Sequence, residues 1–543
     1  MGAPGLYHPN CHRLPNRERS INIHSSMRTP CDNVSQSAAA QVACSESAAP
    51  WILGATILAS SMAFIDSTAI NIALPALQAS FHATVVDVQW VVEAYGLFLG
   101  ALILVGGSLA DLFGRRLIFL AGVTVFTLAS VACGVAPNLQ LLIGARSVQG
   151  VGAALLVPGS LAIISSAFDE KTRGHAIGTW SGFTAITTAI GPVLGGWLVE
   201  HGSWRWVFFI NVPLAAAVIV ISLWRVPESR SEVTHRVDWP GAFLATFGLA
   251  GLVFSCIESS RLGWKNSLVF SSLVGGLVCL AAFIAFEARS TSPMVPLSLF
   301  HNRDFSGANL LTLFLYAAIG IFFFLFPLNL IQVQGYSATA TGAAILPLIL
   351  TMFVLSRWSG GLVARYGARR PLILGPLIAA LGFVLFTVPS VTRSYWSAFF
   401  PAVMVLAFGM ALTVAPLTTD VMNSVDQKRV GTASGINNAV ARIAGVLAIA
   451  VLGIVMVFAF RARLEHSLEH LSLPSQMLKD LRAQETQLGG LEAPAGLDPN
   501  TKFALSNMIR QAFVFGFRIV MVLCAGLSVA SSAVAWRMLP RRS

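Results

Sequence analysis

Charge is what this chain has least of. Only 11% of its 543 residues are Asp, Glu, Lys or Arg, while 55% are hydrophobic, and the mean hydropathy is +0.73. Soluble globular chains carry about a quarter charged residues. A deficit on this scale excludes a water-solvated globule and makes lipid the main solvent. Other absences narrow the field further. The chain has no GxxxxGK[ST] phosphate loop, no HExxH zinc pair and no GxSxG nucleophile elbow, so neither ATP-driven pumping nor an enzyme is indicated. The seven cysteines (Cys11, Cys31, Cys44, Cys133, Cys256, Cys279 and Cys524) form no CxxC or metal-ligand spacing, and four lie in apolar runs. They read as small hydrophobes and a few tail thiols, with no metal and no cofactor expected. A formal net charge of +11 would suit nucleic acid. The charges sit in short loops between apolar runs, however, and not on a basic face, so no nucleic-acid partner is expected.

What the chain does have is apolar runs of membrane length. Crossing roughly 30 Å of hydrocarbon takes about 20 apolar residues at 1.5 Å each. On that measure about fourteen spans are expected: 51–74, 88–110, 117–136, 140–164, 175–199, 205–224, 239–259, 267–287, 307–331, 340–362, 371–390, 396–419, 431–460 and 512–537. The second and third are joined by Gly107-Ser-Leu-Ala-Asp111-Leu-Phe-Gly114-Arg115-Arg116. Arginines in a short loop mark the cytoplasmic face, and this loop sets the sidedness of all the others. Loops then assigned inside hold Lys171/Arg173, Arg225/Arg230/Arg236, Arg289/Arg303, Arg365/Arg369/Arg370 and Lys428/Arg429, whereas short loops assigned outside hold only Arg205, Arg261, Lys265 and Arg393. An even number of spans puts both termini in the cytoplasm, in a multi-pass protein of the inner (cytoplasmic) membrane.

The segment 1–50 is polar and Ser/Ala-rich, carries Arg13, Arg17, Arg19 and Arg28, and lacks the apolar core of a signal peptide. It reads as a disordered cytoplasmic tail, with Met27 as an alternative initiator. The segment 461–511 reads as a long extracytoplasmic loop, amphipathic near Leu464–Arg482 and broken at Gly489-Gly490 and Pro494. A short helix on the outer face is expected there, and a loop of this length leaves room for a periplasmic or envelope partner. The opening motif also recurs: Gly360-Gly-Leu-Val-Ala-Arg365-Tyr-Gly367-Ala-Arg369 copies Gly107–Arg116 eight spans later. The expected organisation is therefore an N-terminal six-helix bundle over 51–225, two inserted helices over 239–287 and a C-terminal six-helix bundle over 302–543. Repeats of this kind belong to transporters that rock two bundles about a midplane site.

The motifs now add up to a resemblance. Gly107–Arg116 matches the loop signature G-x-L-A-D-x-x-G-R-R of the major facilitator superfamily, and the chain resembles that family's fourteen-span drug:proton antiporters (EmrB/QacA type). Ile65–Pro75 is similar to their first-helix motif, Arg146–Gly152 to the fourth-helix motif, and Gly182 through Gly191-Pro192-Val-Leu-Gly195-Gly196 to the fifth-helix antiporter motif. Gln332–Ser337 and Gly431–Asn438 resemble second-half signatures. The resemblance runs from about residue 51 to the C-terminus. It implies an all-α integral membrane protein of the major facilitator fold.

Several residues then become candidates. Asp66 lies midway along the first span, where a charge costs about 2.5–3.5 kcal/mol on insertion scales. Such an acid is either a proton carrier or a structural hydrogen-bonding group, and in the resembled family an acid here takes part in proton and cationic-substrate coupling. Glu93, beside Trp90 and Tyr95, either faces the cavity, where it would titrate jointly with Asp66, or sits in the aromatic belt of the outer mouth. The resemblance implies a proton-coupling role for Arg146, against the plainer reading of a structural salt bridge; Gln149 lies one turn beyond it. Asp66, Gln149, Trp180, Gln332, Asn438 and Arg442 are the candidates to line a substrate cavity. Gly107, Asp111, Gly114, Arg115 and Arg116 form the candidate gating loop, with Asp111 placed to meet positive charge or a helix N-terminus of the opposite bundle. Gly182, Gly191, Pro192, Gly195 and Gly196 form a candidate bendable seam, because small residues permit close approach and proline bends a helix.

The function expected is proton-coupled efflux of a small hydrophobic or cationic compound by alternating access, driven by the proton gradient, in a protein acting as a monomer. The alternatives are a dedicated exporter of one endogenous metabolite and, from another class, a non-transporting receptor or scaffold on the same fold.

Overall fold

The computed structural model describes residues 48–230, 237–391, 394–426, 429–469, 474–491 and 497–540. Most of the expected tail 1–50 lies outside them. Among the described residues every regular element is helical. The first group comprises α1 (Ala49–Phe81), α2 (Val85–Phe113), α3 (Arg115–Val135), α4 (Leu139–Ala167), α5 (Glu170–His201), α6 (Trp206–Phe209) and α7 (Asn211–Arg225). Two further helices follow, α8 (Trp239–Leu262) and α9 (Ser267–Glu287). The second group comprises α10 (Arg303–Leu328), α11 (Ala338–Tyr366), α12 (Arg369–Leu385), α13 (Tyr395–Ala398), α14 (Phe400–Asn423), α15 (Val430–Leu468), α16 (Ser475–Ala483) and α17 (Pro499–Met538).

Among the described residues thirteen helical stretches are long and apolar enough to cross a membrane. The fourteenth expected span, 371–390, is the 17-residue α12, which packs between α14 and α17. Within the first group α4 packs on α2 and α3, and α1 packs on α5 and α7. Within the second, α14 packs on α11 and α12, and α17 on α10, α12 and α15. The two groups meet along α5 against α11 and α2 against α15. We call the end of the molecule that carries Arg115 and Arg116 the basic end, and the opposite one the far end.

The contact between α5 and α11 is backbone on backbone. A Cβ added to Gly196 would stand 2.3 Å from the Ala338 carbonyl oxygen, and one on Gly342 would stand 2.2 Å from that of Pro192. No side chain larger than hydrogen fits between helices at that separation. Glu200 adds a polar tie, accepting from the Thr339 backbone N–H at 3.0 Å. All of these contacts lie toward the far end.

The segment 461–511 departs from expectation. It is mostly helix: α15 runs on to Leu468 and α17 begins at Pro499. These two helices of 39 and 40 residues are about 60 Å long, twice the hydrocarbon thickness. They persist because Leu464, Leu468, Leu505 and Ile509 remain buried in the same apolar core as the spans. Between them, Glu485–Gly490 forms a 3-10 turn that tucks in against α1, α2, α15, α17 and the π-helical turn Asn329–Val333. Leu488, at 1% exposure, takes a positive φ of 53°, a conformation costing about 1–3 kcal/mol that only surrounding packing sustains. Thus the segment caps the far end and does not simply lie on the surface. Beneath it Gln332 donates to Gln78 at 2.8 Å, joining α1 to the end of α10.

Within the cap Arg461 donates to the buried Glu485 carboxylate at 2.7 Å. Burial raises the Glu485 carboxyl above the ordinary carboxylate range, and Arg461 only partly offsets this. A carboxyl raised on folding stabilises the fold at low pH and loses that contribution as pH rises through its folded value. Hydrogen-exchange protection of residues 485–491 is therefore expected to fall with rising pH, and Glu485→Gln to flatten that dependence.

Candidate functional site

Asp66 and Arg146 meet inside the first bundle. Asp66 lies midway along α1, and Arg146 is two turns into α4 from the far end. Both are fully buried, and Arg146 Nη1 donates to Asp66 Oδ2 at 2.5 Å. Gln149, one turn along α4, donates to the other Asp66 oxygen at 2.8 Å and accepts from Arg146 Nη1 at 2.8 Å. Arg146 Nε donates to the Val91 carbonyl at 3.1 Å. The Tyr95 ring, 4.3 Å from the guanidinium carbon, covers the remaining face, a cation–π contact that supplements the hydrogen bonds.

A second layer fixes Gln149. It donates weakly to Ser130 Oγ at 3.4 Å, and the Cys133 thiol reaches its amide oxygen at 3.7 Å. Ser130 donates to the Phe208 carbonyl at 2.9 Å and accepts from Asn211 at 2.9 Å. The network therefore ties α1, α2, α3, α4, α6 and α7 together. Both charges are neutralised locally, which removes most of the penalty that an isolated ion pays in an apolar interior.

Two of the expected cavity residues are accordingly not on a cavity wall in this conformation. Asp66 and Gln149 are both 0% exposed, because the acid has turned toward Arg146 within its own bundle. Trp180 also turns inward: its indole N–H donates to Ser60 of α1 at 3.0 Å. Gln332 lies under the far-end cap. Only Asn438 and Arg442 face outward from their own bundle. Arg442 reaches toward α1, its guanidinium carbon 5.7 Å from the Phe64 ring, with its Cβ beside Gly100 of α2. It has no carboxylate partner among the described residues.

Glu93 is fully buried, and neither carboxylate oxygen has a hydrogen-bond partner among the described residues. It does not pair with Asp66. Tyr95, two residues on, points at the Arg146 network, so Glu93 points out of the opposite side of α2. Nor does it sit in an exposed aromatic belt at the far-end mouth.

The candidate seam divides in two. Gly191 and Gly195 lie against Thr68 and Ala69 of α1, within their own bundle, while Gly196 and Pro192 meet α11. Gly182 is different: a Cβ there would meet nothing within 4 Å, because this part of α5 faces open space. The gating loop is likewise held by its own half of the chain. Asp111 pairs with Arg115 at 2.9 Å, one turn along, and does not reach the opposite bundle. Gly107 packs loosely beside Pro158. Glu228, beyond α7, accepts from the backbone N–H groups of Arg116 and Leu117 at 3.0 and 3.1 Å. A carboxylate at this helix N-terminus satisfies orphan donors and complements the helix dipole. Gly114 beneath it has a φ of 121°, which favours glycine. The second copy of the motif is held at the equivalent place, where Arg369 donates to the Trp536 carbonyl of α17 at 2.5 Å.

Glu228, Ser130 and Asn211 were not among the sequence candidates. Ser130 and Asn211 are isolated polar residues inside apolar runs, which is the signal that could have flagged them.

A bundle of this architecture, with a charge network in its first half and a repeated loop motif, places the chain among known transporters. The model of the Major Facilitator Superfamily matches residues 56–449. The chain belongs to this superfamily. Within it, the chain is 34% identical over 496 residues to the "Multidrug resistance protein Stp" of Mycobacterium tuberculosis, covering 90% of this chain and 91% of that one. It is 30% identical to the "Tetracenomycin C resistance and export protein" of Streptomyces glaucescens, again over 90% and 91%. It is 35% identical to the "Lincomycin resistance protein" of Streptomyces lincolnensis, over 71% and 80%. Among solved structures, a bacterial homolog of the human lysosomal transporter Spinster has the same fold, with a TM-score of 0.62 at 18% identity, covering 92% of this chain and 99% of that one.

One expected outcome tests the network. Arg146→Met leaves Asp66 buried without a counter-charge and should cost about 3–5 kcal/mol of stability, read as a lower thermal midpoint in detergent. A double variant carrying Asp66→Leu as well should recover much of that loss.

Proposed function

We propose that this protein exports small hydrophobic compounds of the antibiotic type in exchange for protons, with the basic end in the cytoplasm and the two bundles rocking about the Asp66–Arg146 region. The observation that carries the reading is the sealed network of Asp66, Arg146 and Gln149. An acid held at mid-membrane solely by an arginine and an amide has one chemical event available to it, which is protonation. Adding a proton to Asp66 removes its attraction for Arg146, frees the guanidinium and loosens the joint between α1 and α4. A proton entering down the gradient thereby alters the packing of the first bundle. One charge crossing about 100 mV supplies roughly 2.3 kcal/mol, equivalent to about a 50-fold concentration ratio of exported compound.

The relatives support the cargo. They are named for multidrug resistance, for tetracenomycin C resistance and export, and for lincomycin resistance. The side-chain pattern refines it. With Asp66 neutralised by Arg146 and the unpaired Arg442 beside Phe64, the space between the bundles favours neutral or acidic hydrophobic compounds over cations until Asp66 is released. Basic loops at one end support the orientation, since short cytoplasmic loops are the ones enriched in Lys and Arg.

In proteoliposomes an imposed pH gradient should drive export of such a compound. Asp66→Asn should abolish that acceleration while the protein stays folded and still binds the compound. Gradient-driven export that survives unchanged in Asp66→Asn would remove Asp66 from the coupling mechanism. Gly196→Leu should slow export at least tenfold without altering Asp66, because α5 and α11 could no longer close at the far end.

A further inference from the structure

The two helices inserted between the bundles do not simply sit in lipid. α9 packs on α8, but α8 packs on both α2 and α15, one helix from each bundle. It therefore straddles the seam along which the bundles meet. On α2, Gln89 donates to the Ile449 carbonyl of α15 at 3.3 Å, and Gly96 lies against Val446. Trp90 faces the inserted helix, with its indole N–H donating to Glu258 at 3.0 Å and its ring centroid 5.9 Å from that of Phe254. Glu93 is one helical turn from Gln89 and from Trp90 alike, so its side chain enters the junction of α2, α8 and α15.

At that junction the carboxyl has no donor among the described residues. Both oxygens are buried and unpartnered, and the side chain is 0% exposed. The other titratable or charged side chains on the surrounding elements do not neutralise it. On α8, Cys256 lies within electrostatic reach, and Glu258 is committed to Trp90 and to Arg261 at 2.9 Å. On α15, Arg442 lies about two turns away, opposite Gly100. On the far side of α2, Arg146 is held by Asp66. An ionised carboxylate with no hydrogen bond or counter-charge is too costly in such surroundings, whereas a neutral carboxylic acid is tolerated.

We propose that Glu93 is a second proton-binding site, walled by the inserted helix α8, and that it holds its proton while the α2/α15 seam is closed. The site rests on the antiport reading above and extends it by separating two kinds of acid. Asp66 is sealed inside one bundle and answers to Arg146. Glu93 lies on the sliding surface between bundles and answers to whether that surface is dry. When the bundles rock apart along α2 and α15, water reaches the carboxyl and the proton leaves as hydronium, leaving a hydrated carboxylate. Closing the seam again requires a proton to be taken up. The inserted pair thus gives the fourteen-helix architecture a dry wall at a place where two six-helix bundles alone would leave one side of Glu93 to lipid.

The first two readouts need no known substrate. A hydrophobic carbodiimide reacts with neutral carboxylic acids in apolar surroundings, so it should modify Glu93 in the intact protein and leave the ion-paired Asp66 unmodified, as read by mass spectrometry. An infrared band of a buried protonated carboxyl should be present in the wild type and lost in Glu93→Gln. Absence of both the label and the band would overturn the proposal. In proteoliposomes Glu93→Gln should reduce the acceleration of tetracenomycin C efflux by a pH gradient at least tenfold with binding retained, and an unchanged acceleration would overturn it too. A labelled Glu93 in a wild-type protein whose efflux ignores the pH gradient would keep the site and remove the antiport reading instead.

Discussion

Everything in the first bundle is arranged around one buried ion pair. Arg146 is the largest fully buried side chain among the described residues, and it brings a charge that lipid cannot solvate. Its bonds to Asp66, Gln149 and the Val91 carbonyl, with Tyr95 over its face, replace much of the water it has lost, although Nη2 has no hydrogen-bond partner among the described residues. In doing so they fasten α4 to α1 and α2 at mid-membrane. Hydrophobic packing cannot supply that registration, because lipid tails are as apolar as the helices they would have to favour. The pair is thus a charge-assisted tie between α1 and α4 at mid-membrane.

The joints between bundles are of another kind. They use the absence of side chains: Gly196 and Gly342 let α5 and α11 touch backbone to backbone, while Gly96 and Gly100 of α2 make room for the Val446, Arg442 and Ile443 side chains of α15. The side-chain hydrogen bonds across them include Gln89 to the Ile449 carbonyl and the Thr339 N–H to Glu200. Polar ties appear mainly at the far end, where Glu200 holds Thr339, Gln332 holds Gln78 and the Glu485–Gly490 turn lies across both bundles. Rigid networks within bundles and smooth seams between them are what a rocking mechanism requires.

The repeat in the sequence has its physical counterpart at the basic end. Each copy of the loop motif is held by the last helix of its own bundle: Glu228, just beyond α7, caps the first copy, and the Trp536 carbonyl of α17 takes Arg369 of the second. The first latch uses a side-chain carboxylate and the second a backbone carbonyl. The asymmetry seen in the sequence, where Asp111 has Ala364 as its counterpart, therefore extends to the partners. Asp111 itself spends its charge on Arg115 in this conformation.

The all-helical membrane architecture, the number and order of the spans, the repeat and the presence of Asp66, Glu93 and Arg146 as charges within spans were legible from residues alone. Each is a one-dimensional signal: apolar length, basic loops, or a charge where lipid forbids one. What the chain could not disclose linearly was which way those charges turn. A helix presents a new direction every 100° or so, so two residues' difference sends Tyr95 to the Arg146 network and Glu93 to the inserted helix. The same limit hid Ser130 and Asn211, whose value lies wholly in meeting each other across α3 and α7. In the segment 461–511 the expected short helix is present as α16, but the helical extensions on either side of it were hidden for a related reason: Leu464, Leu468, Leu505 and Ile509 find one another only after α15 and α17 are already side by side. Sequence by itself determined that this protein lives in the membrane and where its costly charges are. Tertiary structure alone decided what each charge faces, because neutralising a buried charge takes atoms from helices far apart in the chain.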